Sequence, residues 1–583
     1  MVLKSLYDLY QRLLAEGAAI PAPGFVRQQI AYVITITPEG ALAGDTPIRS
    51  IAEKPVSMIV PGRQKTNSVK PDFLYEKLEN ILGVGGKQPQ EYFSAERSNY
   101  SNFKDEIDDV GYQAVWQFFQ SWNQEEADSL LIKCHIDKKK LSGYAVFEIF
   151  GDENYVHESA TLLSWWKNGG EKRWYRDEGA SKLAQCLVTG DMDEIAVTHV
   201  PRISGISDKL APIVSYNHDS FSSYGMKQSL NSAVGKRAAF AYCNALDYLI
   251  NEKRNLVKIG NVSAVYWSDQ TGKSAEESES LFASLFSSFQ PEVDDIVKNR
   301  LQHIAKGELF KINEDELNAQ FYILGLSPSE GRLIVRFFHF SSYGELLIRL
   351  ESHYASMELG YRKDNEDNRI ITPYQILKET VPYKKADKEK GIKGDTFKDI
   401  NAKISIAHAS GLLHSILTGE RYPSTVAMAI LHRICVDGNL NHIRCAYLKA
   451  WLTRKNSTYT PTPMLDTENT QIGYVLGRLF AIYVITQEKA QGKDLNRTIK
   501  ESFFGAASST PRTVFPLLHK LHLHHLAKIE SEGTRKKLDR LECKIMDKIG
   551  TFPAYTNMEQ QGLFMLGYYH QTQDFYTANT TEQ

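Results

Sequence analysis

"KKADKEKGIKGDTFKD", Lys384 to Asp399, separates two kinds of residue pattern in this 583-residue chain. The stretch is charged, interrupted by Gly391 and Gly394, and has no apolar periodicity, so it reads as an exposed linker. On its N-terminal side strand and helix signals mix. "QQIAYVITITPEGAL" (Gln28–Leu42) reads as a strand entering a Pro-Glu-Gly turn, and "VSMIV", "GYAVFEIF" and "GRLIVRFF" are further strand signals. Leu3, Leu6, Tyr7, Tyr10, Leu13 and Leu14 recur at helical spacing before Gly17, which predicts an opening amphipathic helix. No regular strand–helix–strand alternation links these runs.

Beyond the linker the strand signal disappears. "TVAMAILHRICVDG", "NHIRCAYLKAWLTRK", "QIGYVLGRLFAIYVITQEKAQG" and "TVFPLLHKLHLHHLAKIE" read as helices, and "STYTPTPMLDTEN" (Ser457–Asn469) breaks the series. The expected fold class is α+β: a mixed N-terminal part and a helical C-terminal part ending in an α-helical bundle. The expected division is 1–115, 116–385, 386–460 for linker and helical segment, and 461–583 for the bundle.

Composition excludes several classes. The 68 basic and 70 acidic residues nearly cancel to −2, so a nucleic-acid surface has to be a local patch. The six cysteines are scattered and form no CxxC pair, which removes zinc ribbons and thioredoxin-type centres and fits a reducing compartment. Asp8 and Arg12 interrupt the apolar pattern of the opening helix, so it is not read as a secretory signal. No run reaches the ~18 apolar residues of a membrane span. A cytoplasmic protein without membrane contact is expected. There is no GxxxxGK[ST], no GxGxxG after a strand, and no carboxylate cluster with two-metal spacing. No catalytic residue, cofactor or resident metal is expected.

Five stretches carry candidate chemistry. "PGRQKTNSVKP" (Pro61–Pro71) sets Arg63, Lys65 and Lys70 among Gln64, Thr66, Asn67 and Ser68, side chains able to read base edges while the cations meet phosphates. A polar surface loop has the same look. "SYNHDSFSSYG" (Ser215–Gly225) places His218 and Asp219 beside Ser220, Ser222 and Ser223. It lacks the glycine frame of a nucleophile elbow, and triads are assembled by folds rather than by chain neighbours. A binding loop with Asn217, Ser222, Ser223 and Tyr224 is the better reading, with a plain polar turn ahead of "KRAAFAYCNALDYLI" as the alternative.

"LHKLHLHHL" holds His519, His522, His524 and His525, with pairs one helical turn apart. No HExxH and no carboxylate lies within the cluster, so leucines on one face and imidazoles on the other are expected. In "RKKLDRLECKIMDKIG", Leu538, Leu541, Ile545 and Ile549 form an apolar stripe. Lys536, Arg540, Lys544 and Lys548 make a basic face that drifts about 40° per step. Interspersed Asp539, Glu542 and Asp547 favour a solvated face over a phosphate track. "SWWKNGGEKRWYR" (Ser164–Arg176) has a texture that could stack bases, although its tryptophans read better as core anchors.

Several blocks together resemble one family, the large subunit of the type I-C CRISPR surveillance complex, or Cascade. They are "SLYDLYQRL", "RQKTNSVKPDFLYEKLENILG", "VSYNHDSFSSYGMKQSLNSAV", "YILGLSPSEGRLIVRFFH", "NTQIGYVLGRLFAIYVITQEKA", "FFGAASSTPRTVFPLLHKLHLHHLAKI" and "QQGLFMLGYYHQTQDFY". Their joint order along the chain carries the likeness. The resemblance implies a non-catalytic subunit that recognises the protospacer-adjacent motif (PAM) on double-stranded DNA and promotes unwinding and R-loop formation with crRNA. The implied partners are backbone and crRNA-processing Cascade subunits, small subunits, and a recruited helicase-nuclease.

For the residues it implies motif sensing by Arg63–Lys70, and DNA or subunit contact by Asn217, Ser222, Ser223, Tyr224, Lys227, Arg332 and Arg336. It implies displaced-strand contact by Lys536, Arg540, Lys544 and Lys548. Arg332 and Arg336 would share one strand face with Ile334. Met464 is the implied internal start of a separately made small subunit, 464–583. The alternatives are a metal-dependent nucleic-acid enzyme built on His519–His525, and an adaptor whose partners make all the nucleic-acid contacts.

Overall fold

The computed structural model describes residues 2–64, 70–86, 88–176, 182–216, 218–251, 255–270, 272–286, 317–360, 371–384, 393–455, 459–492 and 498–581. The α+β expectation holds: sheets lie in the N-terminal part, and every described regular element from Phe397 onward is a helix. The chain divides into two compact units, Met1–Asn251 and Glu252–Gln583.

The spine of the first unit is β1, Phe25–Ile36. β2 (Ile48–Ser50) and β3 (Val56–Pro61) run antiparallel along one side of it in tandem, β2 against its second half and β3 against its first. β5 (Tyr144–Ile149) lies parallel along the other side, with β4 (Tyr75–Lys77) at the edge. The β1 sequence has apolar side chains on both faces, as a strand covered on both sides requires. Ile30 and Val33 join Val60, Tyr75 and Val146 on one face, while Tyr32, Ile34 and Ile36 face a larger core with Phe73, Trp166 and Trp174. The opening helix, Val2–Ala15, ends before Gly17 at φ +71°, as its spacing predicts. The pairing of β3 with β1 carries the chain back beside Phe25, and the loop after Pro61 starts there.

Still in the first unit, β6 (Leu183–Gln185) and β7 (Met192–Glu194) pair antiparallel. In the second unit, β8 (Leu256–Ile259), β9 (Val262–Ser268), β10 (Gln320–Ser329) and β11 (Arg332–Ser342) form an antiparallel meander in the order β11-β10-β9-β8. Its core runs from Val257 to Tyr569 without interruption and takes side chains from both sides of the polar stretch 384–399 and of the break 457–469. The units therefore meet at none of the composition breaks in the sequence. Most of the linker, 385–392, lies outside the described residues. Its ends close on each other: the Asp395 N–H donates to Lys384 O at 3.0 Å, and the Lys403 ammonium holds the Asp395 carboxylate at 2.6 Å. Val381 and Ile400, on either side of those joined ends, lie in one core.

The helices Ile472–Gln491 and Met558–Thr581 approach backbone to backbone. A β-carbon on Gly477 would lie 2.1 Å from Phe564 O, and one on Gly567 would lie 2.2 Å from Tyr474 O. Only glycine permits that separation.

Candidate nucleic-acid interface

The loop Pro61–Pro71 is fixed at both ends. Gly62 extends the β1–β3 pairing by donating its N–H to Gly24 O at 2.9 Å, and a β-carbon there would strike the Tyr75 hydroxyl. Next, the Arg63 guanidinium lies over the Tyr175 ring, 3.9 Å from its centre. On the return, the Lys70 ammonium donates to Tyr175 O at 2.9 Å, and Trp174 Nε1–H donates to Pro71 O at 3.0 Å. Lys65, Thr66, Asn67 and Ser68 lie outside the described residues.

Tyr175 itself is buried, and its hydroxyl donates to Asp72 Oδ1 at 2.8 Å. Burial, then the Asp72 charge, pushes its pKa well above the usual phenol range, while Arg63 pulls it the other way. It is a neutral ring carrying a cation on its face, an arrangement that orients a guanidinium.

"SWWKNGGEKRWYR" is thus the wall behind the loop. Trp166 and Trp174 are buried, Phe73 stacks on Trp166 at 4.8 Å, and Trp166 Nε1–H donates to Gly24 O. The tryptophans are core anchors, as expected. Tyr175, the next-to-last residue of that segment and the platform of Arg63, carried no motif that sequence reasoning could find. Nor did Arg202, whose backbone N–H donates to Gln64 Oε1 at 2.6 Å and ties the loop to the segment leading to the second candidate block.

In that block Asn217 lies outside the described residues, and His218 to Gln228 are exposed. His218 is extended, and Asp219–Phe221 makes one turn of 3-10 helix. The His218 ring packs edge-on against Phe221, and no hydrogen bond joins it to Ser220, Ser222 or Ser223. No hydrolytic relay is assembled. Tyr224 and Lys227 project from the block.

On β11, Arg332 pairs with Ser329 and Ile334 with Ser327. Arg336 is the extra residue of a bulge, and its Nε–H donates to Ser327 Oγ at 2.6 Å. Arg336 thus stays on the Ile334 side although the register shifts there.

The C-terminal basic face is smaller than its spacing suggests. Its helix is Glu532–Met546, so Lys548 lies beyond the end, where it donates to Thr467 O and sits 3.6 Å from Glu468. Lys536 pairs with Glu532 at 2.6 Å. Arg540 and Lys544 are exposed on the helix.

The histidine helix, Pro511–Leu526, corrects a second expectation. His522 and His525 are buried, while Leu517 and Leu523 are 46% and 49% exposed. His522 turns inward toward Glu542, which the sequence places among solvated acids and the fold buries. His519 Nδ1 lies 2.7 Å from Glu542 Oε1, His522 Nε2 lies 3.3 Å from Oε2, and the Tyr483 hydroxyl donates to Oε1 at 3.0 Å. Burial alone would raise the Glu542 pKa; His522, His519 and Tyr483 together hold it below the ordinary carboxylate value. A buried carboxylate needs such partners, and they draw the imidazoles inward.

Among the described residues, no three or more His, Cys, Asp or Glu side chains are grouped to hold a metal ion. No helix among them is long and apolar enough to cross a membrane. No curated protein matches the chain. The family model of the CRISPR-associated protein Cas_Csd1 matches residues 6–576, spanning both compact units and every candidate segment, and the chain belongs to that CRISPR-associated family.

Proposed function

We propose that this protein is the large subunit of a type I-C Cascade and recognises the PAM on double-stranded DNA. The observation that carries this reading is the Pro61–Pro71 loop, anchored on Tyr175 through Arg63 and Lys70, with Gln64, Lys65, Thr66, Asn67 and Ser68 between the anchors. Amide, hydroxyl and cationic donors on a loop with fixed ends suit a groove-reading element, because ordering the loop costs little on binding. The family match to a CRISPR-associated protein supports it. In RNA-guided systems the protein reads a short motif and base pairing reads the rest.

In this reading the subunit is not an enzyme and needs no cofactor. It acts in the cytoplasm, starting unwinding and supporting R-loop formation with crRNA. Backbone and crRNA-processing subunits and small subunits surround it, and a helicase-nuclease is recruited to cut. Asn217, Ser222, Ser223, Lys227, Arg332 and Arg336 contact DNA or a neighbouring subunit, and Arg540 and Lys544 lead the displaced-strand contact. Met464 is an internal start for the small subunit. Both members of the glycine-packed helix pair lie after it, which supports a separately made 464–583 product.

The test is target binding by the reconstituted complex with Gln64–Asn67 replaced by alanines. Duplex DNA with and without a T-rich motif, the preference the family resemblance implies, is compared with a pre-opened bubble. Loss on the duplex with retention on the bubble supports motif sensing. Wild-type binding to both targets overturns the site assignment.

A further inference from the structure

Among the described residues, Tyr224 is the most exposed large apolar side chain, at 95%. Ser223 and Met226 form an isolated antiparallel bridge, and the Met226 N–H donates to Ser223 O at 2.9 Å. Tyr224 and Gly225 are therefore the central residues of a tight turn, with φ of +51° and +72°. Two left-handed central residues define the hairpin turn whose first position favours Asn, Asp or Gly. A tyrosine there strains the backbone, because its β-carbon crowds the carbonyl.

The turn is braced nonetheless. Asn231 Oδ1 accepts the Ser223 N–H at 2.9 Å, and its Nδ2 donates to Met226 O at 3.0 Å and Gln228 O at 2.8 Å. One amide side chain holds the backbone on both sides of the ring. Nearby Phe221 packs edge-on against Tyr216 and His218, so it supports the base of the loop.

A strained non-glycine position that presents a solvent-facing ring on a braced turn points to a use for the ring. We infer that Tyr224 stacks on an unpaired nucleobase, engaging it when the duplex opens or a strand is displaced. The inference rests on the DNA-recognition reading above and names the ligand of this second block. A lone ring at a two-residue turn offers its faces to a base and fits between neighbours in an opened strand. The exposed Lys227 and the hydroxyls of Ser222 and Ser223 supply contacts for the adjoining phosphate.

The test uses the full chain with a short single-stranded DNA carrying 2-aminopurine, whose fluorescence falls on stacking. Motif duplex binding is read in parallel by anisotropy. Tyr224→Ala should lose most of the quench, at least fivefold, and Tyr224→Trp should keep it. Tyr224→Asn, the residue the turn favours, should lose the quench while its melting temperature is unchanged or higher, which separates the ring from folding. Duplex binding should be lowered by Arg63→Ala and not by Tyr224→Ala.

A wild-type quench in Tyr224→Ala overturns the inference, and with Arg63-dependent duplex binding intact the motif-sensing reading stands. Unchanged quench with weakened association to another complex subunit overturns it in favour of a protein anchor. Absence of any quench by the wild-type chain overturns it as well, and absence of Arg63-dependent duplex binding beside that brings down the reading beneath it.

Discussion

Arg63 lies over the Tyr175 ring, its guanidinium 3.9 Å from the ring centre, and the same tyrosine offers its carbonyl oxygen to Lys70. One buried residue therefore orients the first cation of the loop and fastens the last.

Tyr175→Leu removes the platform and keeps much of the buried volume. A cation on an aromatic face is worth about 0.5–2 kcal/mol, so motif duplex binding should weaken by about twofold to thirtyfold. Tyr175→Phe keeps the ring under Arg63 and deprives Asp72 of its hydroxyl donor, so it should cost stability more than binding. Binding and melting curves on both variants check this; equal loss of binding in the two would refute the platform role.

Glu542→Gln tests the buried clasp. The folded-state pKa of Glu542 is lowered, so ionisation favours the fold above its unfolded value, and this contribution is lost as pH falls through the folded value. The variant should be destabilised at pH 7 by about 1–3 kcal/mol, with the gap to wild type closing below about pH 4.5, its ordinary value. A gap that stays constant with pH would mean shape, not charge, is what Glu542 supplies.

His570 is fully buried, 2.9 Å from the Tyr474 hydroxyl, and burial, aided by the Lys449 charge, pulls its pKa down to about 3. The unfolded chain takes up that proton near pH 6.5 and the folded chain refuses it. Stability from this site is complete above pH 6.5 and declines as pH falls toward about 3. His570→Gln, which keeps a polar partner for Tyr474, should flatten the dependence of melting temperature on pH between those limits. An unaltered slope would show that other groups govern acid sensitivity.

Gly477→Ala places a methyl 2.1 Å from Phe564 O and 2.8 Å from Tyr568 N, both backbone atoms. The two helices must move apart, at a cost of about 3 kcal/mol, the upper end for overpacking. Gly533→Ala, with nothing within 4 Å, should leave the melting temperature unchanged or raised. Equal effects from the two substitutions would deny the close approach.

Much of the fold was legible because it rests on local periodicity. β1, β3, β5, β11 and the long C-terminal helices fall where their apolar spacing puts them. What escaped is what the chain brings together from afar. His519 and His522 answer a carboxylate from the next helix, and no window around Leu518–Leu526 contains Glu542. Tyr175 looks like any aromatic in a Trp-rich run until the loop at Arg63 and Lys70 closes over it. The described ends of the charged stretch, Lys384 and Asp395, are joined by a backbone hydrogen bond, and residues on both of its flanks enter one core, which no local charge pattern announces.

The helix Ile472–Gln491 is buried at every residue from Gly473 to Gln487, and its partner Met558–Thr581 is encoded well after it. Within that buried stretch Arg478 is the one cation, and a guanidinium withdrawn from water has to find acceptors. Once folding is complete the same guanidinium donates to Gln571, Asp466 O and Thr467 O. One buried guanidinium thus ties this helix both to Gln571 on its partner helix and to the segment that precedes it, so the pair docks in a single register.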